Sequence, residues 1–351
     1  MIVKLIEDKI QAGKEAINEI YNMGYYGRPR GNTLELTLVE AAYLLYRKKI
    51  DIELDEHILE FADFIKIASR RQPYFELKYI VYKDLRERGF YVQPSVVDFR
   101  VYPRGGQPGK TPAKSFVYVR SERIPMPLRD LIKPLNSTSN VRKQMILAIV
   151  DEESDITFYE IKKVEPKGNM EMLYPHITAD ATILHDRVIV WESSSSNTLY
   201  EQGFYGKLLD LEHLQLSLVE SAYLLENNII KVHDRETGDL LNFEDFSKRA
   251  SEIEPEFIGK YKVYEDLRNR HLVPKTGFKF GTHFRVYSQA RPPEKIPHSE
   301  NLVHTIPQDY EFALPVMSRA VRLANSVRKR MLFAVQGDKT IEYIDIGRIK
   351  M

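Results

Sequence analysis

Cysteine is absent from this chain of 351 residues, which excludes disulfides, thiolate metal sites and cysteine nucleophiles. No apolar run approaches the roughly 18 residues that a membrane helix requires, and the segment Met1–Lys9 carries acids where a signal peptide is apolar. The sequence also lacks a phosphate-binding glycine loop, a nucleophile elbow and a His-x-x-x-His zinc pair. We therefore expect a cytoplasmic protein with no membrane partner, no metal and no cofactor.

The chain contains an internal duplication. Five stretches of the first half return in the second half at an offset that drifts only from 179 to 186 residues. The pairs are Ile20–Gly27 with Leu199–Gly206, Leu36–Leu45 with Leu216–Leu225, Val81–Gly89 with Val263–His271, Phe99–Tyr102 with Phe284–Tyr287, and Val141–Lys143 with Val327–Lys329. The unit of about 175 residues is too long for a solenoid repeat. Duplication followed by divergence usually leaves one working copy and one supporting copy.

Each copy divides into a first part of short strands with amphipathic helices and a second part in which a helix leads into strands. The fold class predicted is α+β (mixed α/β), with two tandem repeats. The predicted boundaries are 1–78 and 79–165 for the two subdomains of the first copy, and 176–258 and 259–351 for those of the second. The join lies near Val164–Pro175, where Pro and Gly interrupt regular structure.

Local patterns predict the individual elements. Helical spacing of apolar residues favours helices at Leu36–Tyr46, Phe61–Ser69, Tyr79–Arg88, Phe243–Ser251, Tyr261–Arg270 and Val316–Ala324. Alternation or apolar runs favour strands at Phe99–Tyr102, Phe116–Arg120, Gln144–Val150, Ile156–Ile161, Phe284–Tyr287, Leu302–Thr305, Met331–Val335 and Thr340–Ile346. Asp55 and Asn242 lie near expected helix caps. The run Ser193–Ser196 is expected in a surface turn between strands.

The net charge of +1 hides an asymmetry. Residues 259–351 hold 17 Lys and Arg against 9 Asp and Glu, a local charge of +8, so the remaining chain carries −7. A basic quarter in a neutral protein indicates a polyanion partner. A solvated surface that happens to be basic is the other interpretation of the same charge.

The two copies differ in one set of side chains. The second copy has Tyr287 at a strand end, His298 in the following loop and Lys329 at a helix-to-strand junction. The first copy keeps a tyrosine and a lysine but has Lys114-Ser115 where we align His298-Ser299, and it has no histidine in this part. Tyr, His and Lys suit proton transfer and the stabilisation of an oxyanion. Each residue alone fits an ordinary packing or surface role, so the pattern of loss carries the hypothesis.

Motifs of the second copy point to one family. They are Val263-Tyr-Glu-Asp-Leu-Arg268, Gly277-Phe-Lys-Phe-Gly281, Phe284-Arg-Val-Tyr287, His298-Ser-Glu300, Val303-His304 and Arg322-Leu-Ala-Asn-Ser-Val-Arg-Lys329. Through them, residues 260–346 resemble the catalytic domain of archaeal tRNA-splicing endonuclease. The tandem copies are similar to the euryarchaeal homodimeric form, in which a degenerate unit precedes an active one. The resemblance covers nearly the whole chain.

The resemblance implies a metal-independent endoribonuclease that excises introns from precursor tRNA at bulge–helix–bulge junctions. Tyr287 stands where the family has its general base, His298 where it has its general acid, and Lys329 where a lysine stabilises the transition state. The nucleophile is the 2′-hydroxyl of the RNA, and the products carry a 2′,3′-cyclic phosphate and a 5′-hydroxyl. This chemistry requires proton transfer and charge stabilisation but no metal.

RNA contacts are implied in the same way. Enzymes of the family hold a bulge base between two arginine guanidinium planes. Arg322, seven residues before Lys329, matches the first arginine, and Arg348 is the candidate for the second unless it is a frayed terminal residue. Recognition of shape and splayed bases is how proteins select RNA.

The first copy has an acidic turn for which the resemblance implies a docking role. It contains Asp151, Glu152, Glu153 and Asp155. By itself such a turn is a solvated loop, but the family places it in a basic groove of the other subunit. The homodimer so formed has two active sites, one for each bulge.

Two other functions stay open. The runner-up is a non-catalytic RNA-binding or structural subunit, against which the joint retention of the three candidate residues argues. A metal-dependent nuclease is the third, although the second copy lacks paired acids with a lysine on adjacent strands. His283 departs from the family pattern, because an acid is expected there and Asp98 stands at that place in the first copy; Asn301 replaces a common aromatic.

Overall fold

The computed structural model describes residues 1–170, 177–289, 298–337 and 340–351. The chain forms two compact units. Unit 1 contains Met1–Lys162, Glu311–Ser318 and Gly347–Met351, and unit 2 contains Lys163–Tyr310 and Arg319–Ile346. Both units have the expected mixed α/β fold. No helix in the described residues is long and apolar enough to cross a membrane.

The first part of unit 1 is a sheet with helices. Its strands are β1 (Ile2–Ile6), β2 (Lys9–Ala12), β3 (Arg28–Arg30), β4 (Thr33–Thr37), β5 (Asp51–Leu54) and β6 (His57–Leu59). Its helices are α1 (Lys14–Ala16) and α2 (Asn22–Gly24), joined by a π-helical turn at Ile17–Tyr21, then α3 (Leu38–Tyr46) and α4 (Phe61–Arg71). The strand order is β3-β4-β2-β1-β5-β6, and only β1 with β5 is parallel.

The second part of unit 1 begins with a helix and continues as a sheet. The elements are α5 (Phe75–Glu87), β7 (Val92–Pro94), β8 (Phe99–Val101), β9 (Ser115–Ser121), β10 (Met126–Pro127), α6 (Leu128–Asn140), β11 (Gln144–Val150) and β12 (Ile156–Val164). The strands β7-β8-β9-β11-β12 lie in that order. The pair β9 and β11 is parallel, as a connection through a helix allows, and the other pairs are antiparallel.

The first part of unit 2 repeats the first part of unit 1. It contains β13 (Ala179–Ile183), β14 (Val188–Val190), α7 (Ser193–Glu201), β15 (Lys207–Leu208), β16 (Leu214–Leu216), α8 (Leu218–Glu226), β17 (Ile230–Asp234), β18 (Leu240–Leu241) and α9 (Phe243–Ile253). The order is β15-β16-β14-β13-β17-β18, again with one parallel pair, β13 and β17.

The C-terminal part of the chain carries the second half of the repeat. Its elements are α10 (Phe257–Asn269), β19 (Val273–Thr276), a 3₁₀ turn (Phe278–Phe280), β20 (Phe284–Tyr287), β21 (Asn301–Ile306), β22 (Glu311–Phe312), α11 (Leu314–Ser326), β23 (Arg330–Gln336) and β24 (Ile341–Ile349). In unit 2 the strands β19-β20-β21-β23-β24 are neighbours in that order, and β21 with β23 is parallel. The short β22 belongs to unit 1, where it pairs with β10.

Both units are built around the same four aromatic rings. In unit 1 the buried rings are those of Phe64, Phe75, Tyr82 and Phe99, and in unit 2 they are those of Phe246, Phe257, Tyr264 and Phe284. Burial of each ring stabilises the folded state by about 1.5–3 kcal/mol. The duplication therefore preserved the core while surface residues diverged.

A buried glutamate completes the N-terminal cap of one helix in each unit. In unit 1, Thr37 and Glu40 form a capping box at the start of α3, and Glu40 also accepts the Gly27 N–H at 2.7 Å. In unit 2, Ser217 and Glu220 form the matching box at the start of α8. These boxes fix the helix starts at Leu38 and Leu218, two residues inside the repeated segments.

The predicted helices and strands of the second subdomains are confirmed, with end points that differ by a few residues. Two local predictions are wrong. Ser193–Ser196 opens helix α7 instead of forming a turn, because its serines are satisfied locally: Ser196 Oγ donates to the Val190 carbonyl at 3.1 Å. Asp55 lies in the β5–β6 turn with φ of 49° and caps no helix, whereas Asn242 caps α9 by accepting the Asp245 N–H.

Candidate active site

Tyr287 ends β20 and Lys329 directly precedes β23, so both lie at the same end of three neighbouring strands of unit 2. His298 lies in the loop before β21, the strand between them. Val286 in β20 is opposite Asn301 in β21, and Asn301 is opposite Arg330 in β23. Tyr287 follows Val286, His298 precedes Asn301 by three residues, and Lys329 directly precedes Arg330. Neighbouring strands are about 4.8 Å apart, so the backbones of Tyr287 and Lys329 are separated by about 10 Å.

Backbone hydrogen bonds continue the pairing past the strand ends. The Glu300 N–H donates to the Val286 carbonyl at 3.2 Å, and the Arg330 N–H donates to the Glu300 carbonyl at 3.0 Å. The Ser288 hydroxyl donates to the Glu300 carboxylate at 2.5 Å. Backbone pairing therefore orders these strand ends, and it fixes the backbone from which the Tyr287 and Lys329 side chains extend.

Lys329 is positioned by the end of helix α11. The Arg328 N–H donates to the Asn325 carbonyl at 3.0 Å and the Lys329 N–H donates to the Ala324 carbonyl at 2.8 Å, which is the hydrogen-bond pattern of a Schellman motif. Arg328 occupies the left-handed position of that motif with φ of 55°, where glycine is usual. The motif reverses the chain and sets Lys329 directly before β23.

The Lys329 ammonium points back to the loop that carries His298. It donates to the Ser299 carbonyl at 2.5 Å and lies 5.8 Å from the Phe280 ring centroid. Burial lowers the pKa of Lys329, and the positive charges of Lys279 and Arg285 lower it further. The cluster of cations at these strand ends is suited to bind phosphate.

Tyr287 has its ring packed and its hydroxyl unused. The ring is 8% exposed and contacts Met170 and Val273. No described residue accepts or donates a hydrogen bond at the hydroxyl. Arg285 places its guanidinium carbon 5.9 Å from the ring centroid, and its Nε is buried without a partner in the described chain. Sequence comparison missed Arg285, because Phe-Arg-Val-Tyr occurs in both copies and so gives no contrast.

His298 is exposed, while its neighbour Ser299 is buried at 5% exposure. The buried Ser299 anchors the loop, since its carbonyl accepts the Lys329 ammonium. An exposed imidazole next to an anchored residue is accessible to a bound substrate. The residues before it, 290–297, lie outside the described part of the chain.

The corresponding place in unit 1 is filled by side chains that bond to one another. Ser115 Oγ donates to Gln144 at 3.0 Å, and the Gln144 amide donates to Glu160 at 3.0 Å. The Tyr102 hydroxyl donates to Gln93 at 2.7 Å. In unit 2 the residues at the places of Gln144 and Glu160 are Arg330 and Asp345, and the Arg330 guanidinium donates to the Asp345 carboxylate, so these strands are bonded in both units. The tyrosines differ, because the Tyr102 hydroxyl is bonded to Gln93.

The strand register corrects one alignment made from sequence. Val101 is opposite Ser115 in unit 1, just as Val286 is opposite Asn301 in unit 2, so Ser115 matches Asn301 and not Ser299. Lys114 then matches Glu300, and Pro112 falls at the place of His298. The error arose because a Ser follows a polar residue in both loops, while pairing alone fixes the register.

His283 replaces Asp98 without loss of the hydrogen bond that the acid makes. Asp98 accepts the Val119 N–H at 2.8 Å, and His283 Nδ1 accepts the Thr305 N–H at 3.0 Å. Its Nε2 lies 3.2 Å from Glu256, and its ring stacks on His304 at 4.2 Å. Burial, with the nearby His304, lowers the pKa of His283 to about 4. His283 directly precedes β20 and Tyr287 ends it, so the two are about 13 Å apart along the chain.

The two candidate arginines lie in different units. Arg322 is exposed on α11 in the part that belongs to unit 2. Arg348 is exposed on β24 in the part that belongs to unit 1. Arg348 therefore lies within a strand, and the alternative of a frayed terminal residue is wrong.

The acidic turn of unit 1 joins β11 to β12. The Asp151 carboxylate accepts the N–H groups of Glu153 and Asp155 at 3.0 and 2.9 Å, so Asp151 organises the turn. Glu152 is paired with Arg123, and the side chains of Glu153 and Asp155 are exposed. The turn is therefore ordered by Asp151 and exposes the other three acids. The matching turn of unit 2 includes Asp338 and Lys339, which lie outside the described residues.

Among the described residues, no three His, Asp or Glu side chains lie close enough together to hold a metal ion.

Comparison with known proteins identifies both halves of each copy. The family model described as tRNA intron endonuclease, catalytic C-terminal domain, matches residues 75–158 and 257–343. The model described as tRNA intron endonuclease, N-terminal domain, matches residues 1–65 and 179–247. Each model matches twice, in the order expected for a tandem duplication.

Curated relatives match along the full length. The chain is 63% identical to the tRNA-splicing endonuclease of Methanococcoides burtonii over 352 residues, which is 100% of both chains. It is 60% identical to that of Methanosarcina mazei, with 98% of this chain and 97% of the relative covered. It is 35% identical to that of Natronomonas pharaonis, with 98% of each covered. The chain belongs to the tRNA intron endonuclease family.

Proposed function

We propose that this protein excises introns from precursor tRNA by cutting both bulges of a bulge–helix–bulge motif without a metal. The observation that carries the proposal is that Tyr287 and Lys329 lie at the same end of neighbouring strands of unit 2, with His298 in the adjoining loop. The Tyr287 hydroxyl is bonded to no described residue, whereas the Tyr102 hydroxyl of unit 1 donates to Gln93. The names of the curated relatives support the same activity. We propose the cytoplasm as its location.

Tyr287 is the general base in this proposal. It removes the proton of the RNA 2′-hydroxyl, and the 2′-oxygen attacks the adjacent phosphorus. Its buried ring fixes the direction of the hydroxyl, and the hydroxyl carries no bond to a described residue that the substrate must displace. Correct placement of a base and a nucleophile lowers the barrier because their translational and rotational entropy is lost on binding, before the chemical step.

His298 is the general acid. As the bond from phosphorus to the 5′-oxygen breaks, the imidazolium gives its proton to that oxygen. One product strand then ends in a 2′,3′-cyclic phosphate and the other begins with a 5′-hydroxyl. Histidine suits this step because its ordinary pKa lies close to neutrality.

Lys329 stabilises the charge that develops on the non-bridging oxygens of the phosphorane. Its ammonium is held by the Ser299 carbonyl, so it is oriented before the substrate binds. Lys279 and Arg285 add positive charge nearby. Fixed charge of this kind is more effective than water because it does not need to reorganise during the reaction.

Arg322 and Arg348 are the proposed contacts to a bulge base, through stacking of their guanidinium planes. The protein is proposed to act as a homodimer, in which the acidic turn of unit 1 binds a basic groove of the partner subunit. Two copies of the site then serve the two bulges. In this scheme 1–78 and 79–165 support docking, and 176–258 and 259–351 form the catalytic copy.

The test is cleavage of an end-labelled bulge–helix–bulge RNA in excess EDTA, with the product ends identified. Two cuts that leave 2′,3′-cyclic phosphates are the expected result. Cleavage only after addition of magnesium would replace the mechanism with a metal-dependent one. Binding without cleavage in either buffer would favour the non-catalytic subunit.

A further inference from the structure

The segment that joins the two copies lies directly beside Tyr287. It follows β12 and has no helix or strand in its described residues, Glu165–Met170. Three of its backbone N–H groups are nevertheless bonded. Gly168 donates to the Arg270 carbonyl at 2.9 Å, Asn169 to the Ser288 carbonyl at 2.8 Å, and Met170 to the His271 carbonyl at 3.1 Å. The joining segment is therefore fastened to the ends of α10 and β20.

The contact is too close for a substituent at its central glycine. A Cβ added to Gly168 would lie 1.9 Å from the His271 carbonyl oxygen and 3.0 Å from the Ser288 carbonyl oxygen. The His271 side chain also contacts the joining segment, because its Nδ1 lies 3.0 Å from the Met170 carbonyl oxygen. A backbone approach of this kind has no room for any residue but glycine.

These backbone hydrogen bonds place Met170 next to Tyr287. Its side chain is 8% exposed and forms an apolar cluster with Val273 and Tyr287, against which Phe204 packs. Its sulfur lies 3.8 Å from a guanidinium nitrogen of the fully buried Arg268. The Met170 side chain therefore packs beside the Tyr287 ring.

Unit 1 places its tyrosine by different means. The Tyr102 hydroxyl donates to Gln93, so the ring is fixed through the oxygen. Lys275 stands at the place of Gln93 in unit 2, but its ammonium bonds to Glu220 at 3.0 Å and to the Gly206 carbonyl at 2.8 Å. Tyr287 therefore loses the anchor on its hydroxyl and needs another support for its ring.

We propose that residues Gly168–Met170 are a positioning strap for the catalytic copy, in which Met170 fixes the Tyr287 ring through its apolar face and leaves the hydroxyl free to act as a base. This inference rests on the proposed role of Tyr287. The join between the copies then has a second task besides connection. It supplies the catalytic copy with a support that the first copy replaces by a hydrogen bond.

The test measures single-turnover cleavage of a bulge–helix–bulge RNA at saturating enzyme, together with RNA affinity. Met170→Ala is expected to slow cleavage by about 10- to 100-fold through misplacement of the base, with unchanged affinity. Met170→Leu, which restores most of the apolar volume, is expected to recover the rate to within about threefold. Gly168→Ala is expected to act in the same direction as Met170→Ala. Met145→Ala removes a similarly buried methionine from β11 in unit 1 and is expected to keep the wild-type rate.

A double mutant separates positioning from a general structural effect. If Met170 acts through Tyr287, Met170→Ala has no further effect in a Tyr287→Ala background, because the group that it positions is gone. Additive losses would overturn the strap, as would a wild-type rate for Met170→Ala when Tyr287→Ala is slow. A wild-type rate for Tyr287→Ala would instead overturn the proposed base, and the strap with it.

Discussion

The two copies share a scaffold and differ in whether the hydroxyl of the strand-end tyrosine is already bonded. In unit 1, the Tyr102 hydroxyl donates to Gln93. In unit 2, the Tyr287 hydroxyl bonds to no described residue and His298 is exposed. A site whose hydrogen bonds are already made gains little from a substrate, whereas unused donors and acceptors gain them on binding.

The difference lies outside a core that the two copies share. The four matched rings of each unit occupy the same elements, and the capping boxes at Glu40 and Glu220 recur. Core positions tolerate little change because packing is dense. A duplicated unit can therefore lose its catalytic groups and keep its fold.

The largest effect is expected at the residue that unit 1 lacks. His298→Ala is expected to reduce single-turnover cleavage by about 10³- to 10⁴-fold, because the 5′-oxygen then leaves without a proton donor. RNA affinity is expected to stay within about twofold. Pro112→Ala at the matching place of unit 1 is the control and is expected to cleave at the wild-type rate. A loss of binding in His298→Ala would make His298 a structural residue.

The matched lysines give the next effect. Lys329→Ala is expected to lower the cleavage rate by about 10²- to 10³-fold, since it removes a fixed charge from the phosphorane. Lys143→Ala, at the same turn in unit 1, is expected to leave the rate unchanged. Rates measured under single-turnover conditions for both variants would settle the comparison. Equal losses would mean that both lysines act through stability or general RNA binding.

His283, which stands where the first copy has Asp98, is expected to make unit 2 sensitive to acid. The folded protein holds the pKa of His283 at about 4, below the ordinary value of 6.5, so it favours neutral histidine. This contribution is fully present above pH 6.5 and is lost as the pH falls toward 4, on the order of 2 kcal/mol. His283→Asn keeps an acceptor for the Thr305 N–H but cannot titrate. Its unfolding temperature is expected to fall less than that of the wild type between pH 7 and 4.5, and parallel curves would contradict the assignment.

The smallest effect is expected at the acidic turn. The substitutions Asp151→Asn, Glu152→Gln, Glu153→Gln and Asp155→Asn together remove its charge and keep the oxygen of residue 151 that organises the turn. We expect the dimer dissociation constant to rise about tenfold, because exposed charges contribute modestly. Sedimentation at low and high salt measures it. An unchanged mass across concentrations at which the wild type is dimeric would contradict docking by this turn.

Much of the fold followed from local pattern. Strands Phe284–Tyr287 and Gln144–Val150 have the predicted bounds, because their apolar runs are bounded by clear breaks. The serine run at α7 was missed because four serines give no helical periodicity, and the local bond of Ser196 to the Val190 carbonyl is not visible in the residue pattern. The match of Pro112 with His298 was missed because loop lengths differ and only strand pairing fixes the register.

The sequence by itself determined the duplication, the mixed α/β class and the loss of histidine from the first copy. It also singled out Tyr287, His298 and Lys329 as the candidate catalytic residues. Repetition and absence are visible without coordinates. Tertiary structure decided that Tyr287 and Lys329 lie at the same end of neighbouring strands, that Lys329 bonds to Ser299, and that Met170 packs on Tyr287. Contacts between residues more than 25 positions apart depend on strand register and backbone approach, which no local pattern encodes.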